Sequence, residues 1–236
     1  ISDSPIFVKF IPELKSLEPI TITGRYNTVN DSIILNGAIP KLVYGGNTIT
    51  NGVLNIDTKD NALVYNLVVD DIQNSQFQLP YTSISGKVQD NTANYTLQLK
   101  DLKDKERYLI SGTLKASAGN NELWLDPKNL LLNYESWKMD SNNVVRFGDK
   151  GIYANNFELS KAQSSISIQS QSEQANSPLA IDFKDFKIET ISNIAVKGDI
   201  EISGNINGNA IVKNLNQSPI FTSDLIVDNF SFKKDT

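Results

Sequence analysis

The chain has 236 residues, 39% hydrophobic and 21% charged, which is enough for one large unit or two small ones. Its formal net charge is −5, with 22 basic and 27 acidic residues. Both signs are spread along the chain and no Lys/Arg patch matches a phosphate backbone, so no nucleic-acid partner is expected.

There is no His and no Cys. Most transition-metal sites and all Ser-His-Asp or Cys-His catalysis lose their ligands or base, so neither cofactor, metal nor enzymatic activity is expected. No disulfide is available to indicate a redox compartment. No signal peptide and no stretch of about 20 apolar residues appears. The first residue is Ile1, as in an excised fragment or a trimmed protein, and the chain is read as a segment of a larger one.

In chain order, the dominant signal is alternation of apolar and polar residues at period two. Residues 20–26 read ITITGRY, with Ile20, Ile22 and Tyr26 on one face. Similar runs follow at 95–99 (YTLQL), 164–169 (SSISIQ), 179–183 (LAIDF) and 200–206 (IEISGNI). Turn signals separate them: Val29-Asn30-Asp31-Ser32, Gly45-Gly46-Asn47, Asn51-Gly52, Asp60-Asn61, Asp90-Asn91, Asn142-Asn143 and Asn207-Gly208-Asn209. Asn, Asp and Gly tolerate the positive φ of tight hairpins, so the pattern predicts an antiparallel meander of roughly fifteen strands.

Residues 185–194 form either a short helix, with Phe186, Ile191 and Ile194 on one face, or a further strand through Phe186 and Ile188. Two polar stretches, 116–121 and 170–177, are loop tips or repeat boundaries, the first a possible sub-boundary. A loose repeat, apolar-x-apolar-x-Gly-x-apolar, recurs around Gly24, Gly37, Gly86, Gly112 and Gly204. A strand-interior glycine permits a bend or a bulge, and its recurrence suggests a sheet curled into a gutter.

The stretch 198–232, GDIEISGNINGNAIVKNLNQSPIFTSDLIVDNFSF, resembles the repeat of the TamB/AsmA-like family, the translocation and assembly module proteins. Gly204, Ile206, Asn207, Gly208, Ala210, Pro219, Phe221, Asp224, Leu225, Ile226 and Asn229 stand at the matching places, with Ser223 where Ala is commoner. Pro12-Glu13-Leu14 with Leu17-Glu18-Pro19-Ile20 and Gly24 resembles another segment, as does 155–160 followed by Ile166-Ser167-Ile168.

The resemblance implies one elongated β-groove over 1–236, a U-shaped gutter or β-taco with an apolar interior and at most one short helix. It also implies a periplasmic location in a Gram-negative envelope and a parent protein anchored in the inner membrane. The implied partners are an outer-membrane assembly-factor barrel of the TamA/BamA class and a phospholipid or other acyl-chain ligand moving between the two membranes during outer-membrane biogenesis.

The expected lining is the apolar face: Ile20, Ile22, Ile84, Val88, Leu97, Leu99, Ile166, Ile168, Ile181, Phe183, Ile200, Ile202, Ile206, Val212, Leu225 and Val227. Alternation by itself favours a closed sandwich or barrel core instead. Two other functions stay open. One is a scaffold for outer-membrane protein assembly or secretion by strand augmentation. The other is an adhesin or carbohydrate-binding sandwich.

Other chemistry is thin. The pairs Glu122/Asp126 and Glu135/Asp140 have no diagnostic glycosidase spacing. Asp70-Asp71 and Asp101-x-x-Asp104 are weak calcium candidates without a loop motif. Trp124 and Trp137 suit sugar stacking or, more simply, the ends of a sheet with the indole N–H near water.

Overall fold

The computed structural model describes residues 11–195, 200–215 and 218–234, and within these the protein is almost wholly β. In chain order the strands are β1 (Leu14–Leu17), β2 (Thr21–Asn27), β3 (Ser32–Tyr44), β4 (Asn47–Lys59), β5 (Ala62–Gln73), β6 (Gln78–Gln89), β7 (Thr92–Lys100), β8 (Glu106–Ser117) and β9 (Asn120–Leu125). Three two-residue strands follow, β10 (Leu131–Leu132), β11 (Glu135–Ser136) and β12 (Lys138–Met139). Then come β13 (Val144–Gly148), β14 (Gly151–Asn155), β15 (Phe157–Lys161), β16 (Ser164–Ser170) and β17 (Leu179–Lys187). A short helix, α1 (Glu189–Ala195), precedes β18 (Ile200–Lys213) and β19 (Ile220–Lys234).

All strand pairings are antiparallel. A 13-stranded sheet runs from β1 and β2 on one edge through β3–β9 to β13 and β14. A 6-stranded sheet runs β12-β15-β16-β17-β18-β19. The meander is curled but not closed into a barrel: among the described residues β2 and β19 each pair on one side only. The expected single sheet is therefore split in two. The seam lies between β14 and β16, where side chains replace the backbone ladder. Ala154 N donates to Ser170 Oγ (3.0 Å), Asn156 N to Gln169 Oε1 (3.0 Å), and Gln169 Nε2 to Asn155 Oδ1 (2.7 Å).

Several hairpins lie where the turn residues predict. Gly45 and Gly46 (φ 54° and 81°) turn β3 into β4, Asp60-Asn61 (50°, 58°) turn β4 into β5, and Asp90-Asn91 (49°, 57°) turn β6 into β7. The pairs have the two positive φ angles of a type I′ turn. The stretch 116–121 is the β8–β9 hairpin, and pairing runs through it without a gap.

Asn51-Gly52 and Asn207-Gly208-Asn209 are not turns. Both lie inside long strands, where positive φ serves a local distortion instead: Asn51 has φ 52° within β4 and Gly208 φ 116° within β18. The register of β17 on β18 shifts between Phe183 and Phe186, at Asp185 (φ 43°). Asn207 Oδ1 accepts from Asp185 N (2.8 Å), so the predicted turn residue holds a bulge. Residues 185–194 divide between strand and helix. The strand continues through Phe186 to Lys187 and the helix starts at Glu189. Phe186 belongs to the strand and Ile191 is exposed, which leaves Ile194 as the helix residue on the core.

That core sits between the sheets. Leu99 and Tyr108 come from the large sheet, Ile166 and Phe186 from the small one, and Leu130, Leu132, Trp137 and Met139 from the segment that crosses between them. Trp137 contacts Phe186 at 5.6 Å between ring centroids. The segment acts as a wedge: with these four large apolar side chains between Leu130 and Met139, it fills the space where the sheets approach.

Candidate functional site: the inner face of the curled sheet

Opposed residues in an antiparallel pair point to the same face. The inner face can therefore be traced strand by strand from the register. One row runs Ile22, Gly37, Leu54, Leu67, Ile84, Leu97 and Ile110, from β2 to β8. A second runs Gly24, Leu35, Ile56, Tyr65, Gly86, Tyr95, Gly112 and Leu125, from β2 to β9. A third includes Leu63, Val88, Ala93, Leu114, Leu123 and Val145. Neither of the first two rows contains a charge.

The opposite face is largely polar from β6 to β8, whereas β3–β5 set Ala38, Val53 and Val68 in one row on it. Thr96 and Ser111 hydroxyls are 2.9 Å apart, and Asn94 Nδ2 donates to Thr113 Oγ1 (2.9 Å).

Glycine and tyrosine alternate in the second row, and the contacts explain why. A Cβ on Gly86 would lie 1.9 Å from the Asn94 carbonyl oxygen and 2.9 Å from Tyr65 Oη. A Cβ on Gly112 would lie 2.3 Å from the Trp124 carbonyl oxygen and 2.6 Å from Tyr95 Oη. Each tyrosine ring thus lies across a glycine of the next strand, an aromatic side chain covering backbone that has none of its own. Tyr65 Oη reaches over Gly86 to donate to Asn94 O (3.1 Å). Burial raises the pKa of both Tyr65 and Tyr95, as expected of phenols lying on an apolar surface.

The predicted lining residues fall into three groups. Ile22 (54% exposed), Val88, Leu225 (41% exposed) and Val227 are open to solvent. Ile20, Ile84, Leu97, Ile168, Ile181, Phe183, Ile202 and Ile206 are half-buried. Leu99 (6%), Ile166 (9%) and Val212 are buried, and for Leu99 and Ile166 the reason is the wedge, which packs directly on them. The Ile200 side chain lies outside the described residues. Ile20 precedes β2 rather than belonging to it.

The register brings Ile22, Ile84 and Leu97 into one row. In the small sheet it aligns Ile166, Phe183 and Leu225 across Gly208, Ile168 with Ile181, and Ile206 with Val227. The lining is thus continuous within each sheet but blocked at the middle. It is open towards β2–β6 and towards β19.

Trp137 corrects the expectation of a sheet-end indole. It is buried in the core, and its Nε1 has no hydrogen-bond partner among the described residues. Its segment has no clean periodicity, so alternation could not reveal it. Tyr108, also missed, is the most buried large side chain of the core. Desolvation pushes its phenol up to about 12, against an opposing pull from the Arg107 guanidinium.

A cleft of about 520 Å³ opens where the sheets approach, between Gln78, Pro80, Leu102 and Arg107 on one side and Asn193, Ile202 and Ser231 on the other. Its rim holds Lys103, Arg107 and Lys233 beside Asp101, Glu189 and Glu201. Asp101 lies below the usual carboxylate range because the Tyr134 hydroxyl donates to it (2.6 Å), with help from the Lys105 and Lys103 amides.

The carboxylates weighed for catalysis or calcium have local partners. Glu122 pairs with Arg146 (2.8 Å) and Glu135 with Lys161. Asp126 and Asp140 each accept a backbone N–H two residues on. Asp70 accepts from Asn51, Asp71 from Gln78, and Asp104 pairs with Lys100. Among the described residues no group of three or more acidic side chains is arranged to hold a metal ion, and no helix is long and apolar enough to cross a membrane.

The chain matches no family model, no curated protein and no solved structure.

Proposed function

We propose that this chain is a segment of a cell-envelope protein of TamB/AsmA type, whose apolar inner face carries the acyl chains of phospholipid between the inner and outer membranes. It performs no catalysis. The reading is supported above all by the row from Ile22 to Ile110: seven adjacent strands place only apolar residues and one glycine on it, and its Ile84 and Leu97 are half-buried while Ile22 stands in solvent. A core in a closed sandwich would bury such a row completely.

The energetics fit passage rather than storage. A sixteen-carbon chain gains on the order of 10 kcal/mol when its methylenes leave water. Ordering and association consume much of that, and a bilayer offers the same apolar solvent. Transfer between membrane and groove is therefore close to isoenergetic. The bound lipid keeps its acyl chain on the floor and its head group at the open side, where water solvates it. The wedge at Trp137 sets a stop in the middle of the segment, so the open flanks are the parts that hold lipid.

The test is native mass spectrometry of protein expressed in bacteria and sprayed from detergent-free buffer. Phospholipid-mass adducts are expected on the parent chain and are lost in Leu67→Asp. A protein that carries no adduct under conditions that preserve lipid on a known carrier would contradict the proposal.

A further inference from the structure

One cation of the cleft between the sheets is held in place without a carboxylate. Arg107 is half-buried, and among the described residues it forms no ion pair. It is the extra residue of a bulge in β8: Leu99 faces Tyr108 and Lys100 faces Glu106, which leaves Arg107 unpaired between them. A bulge re-aims the side chain it carries, and here that side chain lines the cleft. The hairpin of the wedge fixes it there. Tyr134 N donates to Arg107 O (2.9 Å), and Arg107 Nε donates to Asn133 Oδ1 (3.1 Å). The guanidinium lies 5.6 Å from the ring centroids of both Tyr108 and Tyr134. Among the described residues only its Nε finds a hydrogen-bond acceptor.

We infer that this cleft binds the phosphate of an amphiphilic phosphate ester, with Arg107 and Lys103 as its cations. A guanidinium is permanently charged and its N–H fork matches two phosphate oxygens. Lys103 stands on the same rim, exposed and without an ion pair among the described residues. The rim also holds three carboxylates, but each is already engaged. Asp101 accepts from the Tyr134 hydroxyl and from the Lys103 and Lys105 amides. Glu189 accepts from Gly204 N (3.3 Å), and Glu201 pairs with Lys233 (3.9 Å). The unmet charge of the cleft is therefore positive.

The amphiphilic half of the ligand follows from Leu102. It lines the cleft between Asp101 and Lys103 with 75% of its surface exposed, and Ile202 lines the other wall. A cleft of about 520 Å³ takes a ligand the size of a head group and the first carbons of its chains. The inference goes beyond the acyl-chain path along the floor and is tested separately from it.

Isothermal titration calorimetry of the full chain uses three probes: inorganic phosphate, glycerol phosphate, and dihexanoyl phosphatidic acid kept below its micellar concentration. The short-chain lipid is expected to bind roughly tenfold more tightly than the other two. K103E and R107Q each weaken it by on the order of tenfold. L102S weakens the lipid and leaves inorganic phosphate unchanged. Lys103 and Leu102 are exposed, so their variants fold whatever R107Q does. Binding persists in Leu67→Asp, which blocks the floor and leaves the cleft intact. No heat with dihexanoyl phosphatidic acid, or affinity unchanged in K103E, overturns the inference. Equal affinity for lipid and inorganic phosphate also overturns it and marks a site for free phosphate. Loss in Leu67→Asp with full binding in K103E and R107Q overturns it too, and leaves the acyl-chain path standing.

Discussion

Gly86 and Gly112 show how single residues shape the floor. At both, a neighbouring strand's carbonyl oxygen occupies the place of a Cβ. Gly86→Ala is therefore expected to cost about 1–3 kcal/mol and to lower Tm by several degrees, as overpacking does. Gly37→Ala is the control. Its nearest contact would be Leu54 Cβ at 3.7 Å, an ordinary van der Waals distance, and its effect should stay within about 0.5 kcal/mol in urea unfolding. Equal losses at both sites would show that the curl does not depend on the close approach at Gly86.

Tyr108 supplies a pH-dependent test at the same scale. Its folded pKa of about 12 exceeds the ordinary value of 10.0. Between these values the unfolded chain has lost the phenolic proton and the folded one keeps it. Stability is thus independent of this group below pH 10 and falls as pH rises towards 12, by on the order of 2 kcal/mol. The alkaline limb of a Tm profile should flatten in Tyr108→Phe. That variant should also match or exceed the parent at pH 7, because the buried hydroxyl has no hydrogen-bond partner among the described residues.

Among the elements, the wedge around β10–β12 decides where the interior is open. Trp137 is its largest side chain, and Trp137→Ala should cost roughly 3–5 kcal/mol by leaving a void against Phe186 and Met139. Chemical denaturation measures this directly. A loss below about 1 kcal/mol would mean that the sheets hold together without it.

The element scale also shows what the sequence carries and what it hides. Strands such as β16 and β17 are legible because each buries one face only, which forces alternation; β2 alternates although all of it is exposed. The hairpins at Gly45-Gly46, Asp60-Asn61 and Asp90-Asn91 are legible because paired positive φ restricts residue choice. The same chemistry misleads at Asn51-Gly52 and Asn207-Gly208, since a bulge inside a strand selects the same residues as a turn. The wedge is hidden because strands of two residues have no period. The division into two sheets is hidden because the seam uses Ser170 and Gln169 side chains, which look like any other polar residues. Of the lining, Ile22, Ile84 and Leu225 follow from alternation. The burial of Leu99 and Ile166 depends on a segment about thirty residues away from either, beyond the reach of any local pattern.

At the scale of the whole molecule, the open flank and the filled middle should respond differently to one substitution. Ile84→Asp places a carboxylate on a half-buried floor where water can reach it, so the fold should survive and lipid should be lost. Leu99→Asp buries an unpaired charge against the wedge, which is costly, and the protein should unfold or fail to accumulate. Circular dichroism melts together with lipid extraction separate the two outcomes. If both variants unfold alike, the floor is a sealed core.

The most direct measurement places a photo-crosslinking amino acid at position 84 and, in a second protein, at position 85, then irradiates both after expression in bacteria. The two positions differ only in which face of β6 they occupy: Ile84 pairs with Leu97 on the inner side, and Ser85 with Thr96 on the outer. A phospholipid-mass adduct at 84 and none at 85 is the predicted result. Absence of adduct at 84, or equal labelling at both, would contradict a hydrocarbon path along the inner face.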